Sequence, residues 1–303
     1  MKKVGRFLSR LIRAIVILGI CYIILMPLLT KISSSFMMER DLYDQTVKWI
    51  PRNPTLDNYK LVWKYMKYPE AFKNSLVLAL TVSLLQLVSC TVVGYGFARF
   101  PFKGSKLLFG LVVFILIVPP QMIMIPLYLN FRYFDLFGLL PNGGVNLLGT
   151  YWPFILTSVT ATGLRNGIFI YILRQFFRAM PRDLEDAAYV DGAGPLRTFV
   201  QIMLPGAVPA MVIVFLFAFV WQWNDFFLTN IFLGGKTMLP LTLDGLLFSA
   251  SGYMVGGNNM LTGQYASLVN NTGMLMFMAP LLILYAFMQR YFIESIQRTG
   301  LVG

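Results

Sequence analysis

Six apolar runs, set apart by short segments in which arginine and lysine gather, constrain this chain more than any single motif does. They fall at about 14–29, 75–98, 106–129, somewhere within 151–179, about 208–228 and about 274–292. A helix of roughly 20 apolar residues spans a bilayer, because only an internally hydrogen-bonded backbone is stable in hydrocarbon. The expectation is an all-α polytopic membrane protein with six transmembrane helices. Composition agrees, since 57% of the 303 residues are hydrophobic and only 13% are charged.

Charge placement sets the expected orientation. Lys2, Lys3, Arg6, Arg10 and Arg13 precede the first run, Arg99, Lys103 and Lys106 follow the second, and Arg174, Arg178, Arg182 and Arg197 surround the end of the fourth. The segments 130–150 and 232–271 carry one basic residue each. Basic residues stay on the cytoplasmic side, which predicts both termini inside and 31–74 outside. A cleavable signal peptide is the competing reading of the N-terminus; the apolar run is long for one, and no A-x-A site follows it. The chain then divides into an N-terminal segment with the first helix (1–30), an extracytoplasmic loop (31–69), a membrane core (70–293) and a cytoplasmic tail (294–303). The net charge of +12 reports this topology rather than a nucleic-acid footprint.

Inside the runs, Pro119, Pro120 and Pro126 predict a kinked or interrupted third helix. Gly94 and Gly96, and Gly163 with Gly167, predict close helix contacts. The absence of histidine excludes Ser-His and Cys-His catalysis. The two cysteines, Cys21 and Cys90, lie in apolar runs, which argues against a disulfide framework or a Cys-ligated metal.

One polar island interrupts this hydrocarbon, at 181–209. Pro181 suits a first helical position, and Asp183, Glu185 and Asp186 favour the positive end of the helix dipole. Ala187 and Ala188 keep one face small. Gly192 and Gly194 are placed to stop the helix and turn the chain. Leu196, Phe199, Val200 and Met203 then repeat at helical spacing until Pro205. The expected unit is helix, glycine turn, helix, at a membrane face.

The same residues resemble the EAA loop of binding-protein-dependent ABC importer permeases, E-A-A-x3-G-x9-I-x-L-P. Asp186, Ala187, Ala188, Gly192, Ile202, Leu204 and Pro205 stand at those spacings, with Asp for the usual Glu. Asp191-Gly192-Ala193 looks like the D-G-A of the sugar-transporting branch. Trp223-Asn224-Asp225-Phe226 and Gln289-Arg290-Tyr291-Phe292 look like later signatures of maltose-type permeases, and Asn74-Ser75 and Gly94-Tyr95 fit as well.

This resemblance implies a type I importer permease fold with cytoplasmic coupling helices. It also implies a second homologous permease, as a heterodimer, two ATP-binding subunits, and an external solute-binding protein. ATP and Mg would act in the partner ATPase, with no cofactor held by this chain. Glu185, Asp186, Ala187, Ala188, Asp191, Gly192, Leu204 and Pro205 would couple to the ATPase. The location implied is the bacterial cytoplasmic membrane.

Amides and aromatic rings hydrogen-bond to sugars and stack on them. Arg165, Asn166, Trp221, Gln222, Trp223, Asn224 and Asp225 are therefore the candidates for a sugar pathway. Trp223 as an interfacial anchor and Arg165 paired within the bundle are the competing readings. A fourth helix starting near Thr160 puts Arg165 about 8 Å below the outer surface at 1.5 Å per residue, near the level of Asp225. Gly235-Lys236-Thr237 looks like the end of a phosphate-binding loop, but the first Gly is missing and no strand precedes it. A membrane enzyme needs several converging acids and finds only Asp225 near a span. A channel or secondary transporter not driven by ATP remains the alternative.

Overall fold

The computed structural model describes the backbone at residues 2–135, 138, 144–163, 165–255 and 263–300, with side chains at 10–119, 121–135, 138, 144–163, 165–250 and 263–289. In chain order the helices begin with α1 Lys2–Ser35, α2 Asp57–Tyr65, α3 Tyr68–Arg99, α4 Ser105–Ile115 and α5 Pro120–Arg132. Next come α6 Trp152–Val159, α7 Asn166–Ala179, α8 Asp183–Val190, α9 Pro195–Thr198 and α10 Leu204–Gly206. The last are α11 Val208–Trp223, α12 Phe227–Leu233, α13 Leu239–Asp244, α14 Leu246–Val255 and α15 Gly263–Gly300. A 3₁₀ turn at Glu39–Leu42 and a π-helical turn at Phe199–Met203 complete the order. Among the described residues there is no strand, only an isolated bridge between Phe134 and Val145.

Among the described residues, three helices are long and apolar enough to cross a membrane: Arg10–Ser35, Tyr68–Arg99 and Gly263–Gln289. The pair Pro195–Gly206 and Val208–Trp223 passes the same test together, bent by 74°. The third and fourth expected spans are each two shorter helices. Residues 116–119 separate α4 from α5, where Pro119 is extended (ψ 129°) and Pro120 opens the next helix, as the prolines foretold. The fourth run differs from expectation. It does not start near Thr160; α6 already covers Trp152–Val159, and the helix is interrupted from Thr160 before α7 resumes at Asn166. Ala161 takes φ +56°, which no helix continues through.

The chain forms two compact units, Met1–Ala71 with Thr242–Pro280 and Phe72–Leu241 with Leu281–Gly303. In the first, α1 runs on to Ser35, past the expected end of the span, and the loop after it is pinned rather than open. Asp41 accepts from the backbone and side-chain amides of Asn53 at 2.9 and 2.8 Å, and Asn58 donates to the carbonyls of Ser35 and Met37 at 2.9 and 2.8 Å. Pro69 sits in the first turn of α3. The described part of the expected loop at 232–271 is largely helical, as α13, α14 and the start of α15, while 256–262 lie outside the described residues. Leu239, Leu246 and Leu268 are buried there, and that apolar burial favours helix over open loop. A Cβ on Gly273 would come within 2.7 Å of Leu246.

In the second unit, α7 is the hub. Its buried stripe of Phe169, Ile170, Leu173 and Phe177 packs against Cys90, Tyr95, Met203, Ala207, Ala210 and Val214. Glycine sets two of the contacts. A Cβ on Gly94 would meet Leu173 at 2.9 Å, and one on Gly167 would meet the Val112 carbonyl at 2.8 Å. Gly96 and Gly163 make no such helix contact: nothing lies near the first, and the second meets only Asn166 within its own break. Asn74 and Ser75 bind the chain after α12, Asn74 donating to the Thr237 carbonyl at 2.9 Å and Ser75 accepting from the Leu239 amide at 2.8 Å.

Candidate functional site

The polar island begins two residues later than Pro181 suggests, at Asp183. Asp183, Glu185 and Asp186 do fill the first turns of α8. Its C-terminus is a Schellman turn: Gly192, at φ +78°, donates to the Tyr189 carbonyl at 3.0 Å and Ala193 donates to Ala188 at 2.9 Å. Gly194 has an ordinary φ of −74° and serves as the N-cap of α9 instead of a helix stop.

The chain does not end its helix at Pro205. The π-helical turn lets the Leu204 amide reach the Phe199 carbonyl, and helix continues through Pro205 into α10. That extra residue per turn rotates the apolar face, so Phe199 and Met203 turn inward while Leu196, at 76%, and Val200 are exposed.

Glu185 and Ala188 face into the protein, whereas Asp186, Ala187, Asp191 and Gly192 are exposed. The small alanine face is thus split between the two sides of α8. Glu185 is held by α3: Tyr95 donates its hydroxyl to Oε1 at 2.8 Å, and Arg99 Nε stands 3.2 Å from Oε2. Leu204 is half-buried and Pro205 exposed. Asp186, Ala187, Asp191, Gly192 and Pro205 therefore make up the accessible part of the expected coupling set.

A second polar feature is a cavity of about 280 Å³ in the same unit. Arg165, Trp221, Gln222 and Asp225 line it, joined by Gln86, Gln121, Thr157 and Thr162. The break between α6 and α7 brings Arg165 to the cavity as the residue before the first turn of α7. Its guanidinium carbon lies 5.3 Å from the ring of Trp221, which also stacks on Phe169 and Phe217. Asp225 Oδ2 accepts from the amide and hydroxyl of Thr229 in α12, at 3.0 and 3.3 Å. Arg165 and Asp225 sense each other's charge without a contact ion pair.

The remaining candidates lie elsewhere. Asn166 is buried in the break, donating to the Thr157 carbonyl at 3.3 Å. Trp223, 1% exposed, packs on Phe72 and Phe219 as a core residue rather than an interfacial anchor. Asn224 is exposed and donates back to the Val220 carbonyl at 2.7 Å. Gln86 and Gln121 were not anticipated; a lone amide inside an apolar run was the available signal. The Gly235-Lys236-Thr237 segment is a turn after α12, with Gly235 at φ +98° and the Lys236 ammonium 4.5 Å from the centre of the Tyr151 ring. Arg290, Tyr291 and Phe292 fall outside the residues whose side chains are described. No cluster of three or more His, Cys, Asp or Glu able to hold a metal occurs among the described residues.

Comparison with known proteins adds the family. Residues 90–298 match the family described as binding-protein-dependent transport system inner membrane component. The osmoprotective compounds uptake permease protein GgtD of Synechocystis sp. is 33% identical, over 93% of this chain and 89% of that protein. The arabinooligosaccharides transport system permease protein AraQ of Halalkalibacterium halodurans is 31% identical, over 94% and 93%. In fold, the chain resembles a subunit of a bacterial ABC transporter involved in import of the acidic polysaccharide alginate, with TM-score 0.76, 18% identity, and coverage of 95% and 98%. In such importers ATP is hydrolysed by separate subunits. With its polar segment at 181–209 and its apolar helices, this chain belongs to the inner-membrane component family of binding-protein-dependent transport systems and is an ABC importer permease subunit.

Proposed function

We infer that the chain carries a sugar or oligosaccharide across the membrane through the cavity lined by Gln86, Gln121, Thr157, Arg165, Trp221, Gln222 and Asp225. That cavity is the observation on which the reading rests. Amides and hydroxyls exchange hydrogen bonds with sugar hydroxyls, and an indole offers a flat apolar face to the C–H side of a sugar ring. The arabinooligosaccharide permease among the relatives supports the same substrate class.

The chain works in this reading beside a second, homologous permease. Six passages follow from α1, α3, α4 with α5, α6 with α7, α11 with its bent lead-in, and α15, both termini being cytoplasmic. Of two ATPase subunits, which bind ATP and Mg, one docks on the exposed face of α8 and the other on the corresponding segment of the second permease. A binding protein delivers substrate from outside. Closure of the ATPase pair draws the docked helices together and turns the cavity outward; hydrolysis resets it.

Two experiments test this. The assembled transporter in proteoliposomes is given its binding protein loaded from a panel of oligosaccharides, amino acids and metal ions, and ATP hydrolysis is measured. Stimulation by saccharides alone is expected; stimulation by amino acids or metal ions alone would refute the sugar assignment. Orientation is read from single cysteines at Asp57 and Gly194 in a Cys-free background. Labelling from outside and inside respectively is expected, and the reverse would overturn both topology and docking.

A further inference from the structure

Glu185 stands apart from the acids beside it. Asp183 and Asp186 are exposed on the same helix, while Glu185 is 8% exposed and spends both oxygens on α3. Tyr95 and Arg99 lie one helical turn apart and so present to α8 from a single face. The Tyr95 ring is itself held among Phe100, Phe177 and Phe199, at centroid distances of 5.7, 5.2 and 4.5 Å. Arg99 also donates through Nη2 to the Met180 carbonyl, at 2.7 Å, where α7 ends. Three elements therefore meet on one carboxylate: the end of α3, the end of α7 and the first turns of α8.

Buried ion pairs add little net stability compared with apolar packing, but they fix geometry, because charge and hydrogen-bond direction admit few alternatives. A helix seated only on apolar contacts can roll or slide in its groove. One clasped at both carboxylate oxygens cannot do so without stranding a buried charge.

We propose that Glu185 is a positioning residue that locks α8 to the end of α3 through Tyr95 and Arg99, so that a displacement imposed on α8 moves α3 rather than rolling α8 in its seat. This assignment rests on the docking of an ATPase subunit on α8, but gives Glu185 a role inside the chain rather than at that contact.

The complete transporter in proteoliposomes provides the test, read as sugar imported per ATP hydrolysed. Glu185→Gln should lower that ratio about threefold or more, and Tyr95→Phe about twofold, these being losses of a few hydrogen-bonding groups acting as one unit. The exchange Glu185→Arg with Arg99→Glu should recover more of the ratio than either single change. If Glu185 only supports folding, less transporter assembles while the ratio stays at the wild-type value, and the proposal is overturned. Should Glu185→Gln not assemble, Tyr95→Phe, which keeps its ring in the aromatic cage, decides: an unchanged ratio rejects the lock. Failure of the docking reading is seen separately, as wild-type substrate-stimulated ATP hydrolysis in Asp186→Lys.

Discussion

Gly94 and Leu173 bring two helices into backbone contact: a Cβ on Gly94 would stand 2.9 Å from the Cβ of Leu173 and 3.2 Å from the Arg174 amide nitrogen. Neither of those atoms is the far end of a flexible side chain, so the contact cannot relax without parting α3 from α7. Gly96, two residues on, faces open space. The two glycines therefore predict substitutions of opposite sign. Gly94→Ala should destabilise the purified protein by about 1–3 kcal/mol through overpacking. Gly96→Ala should be neutral or stabilising by up to about 1 kcal/mol, through helix propensity. Thermal unfolding in one detergent measures both, and equal shifts would refute the packing.

Arg165 and Asp225 share the cavity without touching. Arg165→Asp and Asp225→Arg should each block transport, since each leaves two like charges in a partly enclosed site. The double exchange should restore uptake in part. Wild-type rate and affinity in Arg165→Ala would remove Arg165 from the pathway.

The loop after α1 should depend on pH through Asp41. The Asn53 side-chain amide, more than any other group, holds this carboxylate below its ordinary value of 3.8, against the opposing effect of burial. A depressed carboxylate stabilises the fold above its unfolded pKa and loses that contribution as pH falls through the folded one. Hydrogen-exchange protection of the Asn53 amide, corrected for intrinsic rate, should hold at neutral pH and fall only below 3.8. In Asp41→Asn the protection should no longer change over that acid range. Loss of protection in the wild type near pH 6 would point to a different group.

Much of this was legible in the sequence because single residues carried the signal. Pro119 and Pro120 mark the break between α4 and α5, and Gly192 takes the positive φ its position in the island suggests. The break between α6 and α7 was hidden, because no proline marks it and a positive φ falls on Ala161 rather than on a glycine. The helix through Pro205 was hidden for the opposite reason. Proline normally ends a helix, and only the π-helical turn before it redirects the carbonyls that its missing N–H would leave. In the candidate site, residue type singled out Arg165, Trp221, Gln222 and Asp225, which lie on one cavity. It could not separate them from Trp223 and Asn224, whose directions depend on how α11 turns at its end.

The central claim, that the island joins an ATPase to the pathway, is tested most directly by ATP hydrolysis in the assembled transporter carrying Gly192→Val. No atom of the chain lies within 4 Å of an added Cβ at Gly192, so inside the chain the change is felt first by the backbone. A non-glycine residue at φ +78° costs roughly 1–2 kcal/mol, and more for a β-branched one, which should undo the Schellman turn that shapes the exposed face of α8. The protein should still insert in the membrane but lose substrate-stimulated ATP hydrolysis, with Asp186→Lys behaving alike. Wild-type stimulation in both variants would contradict the claim.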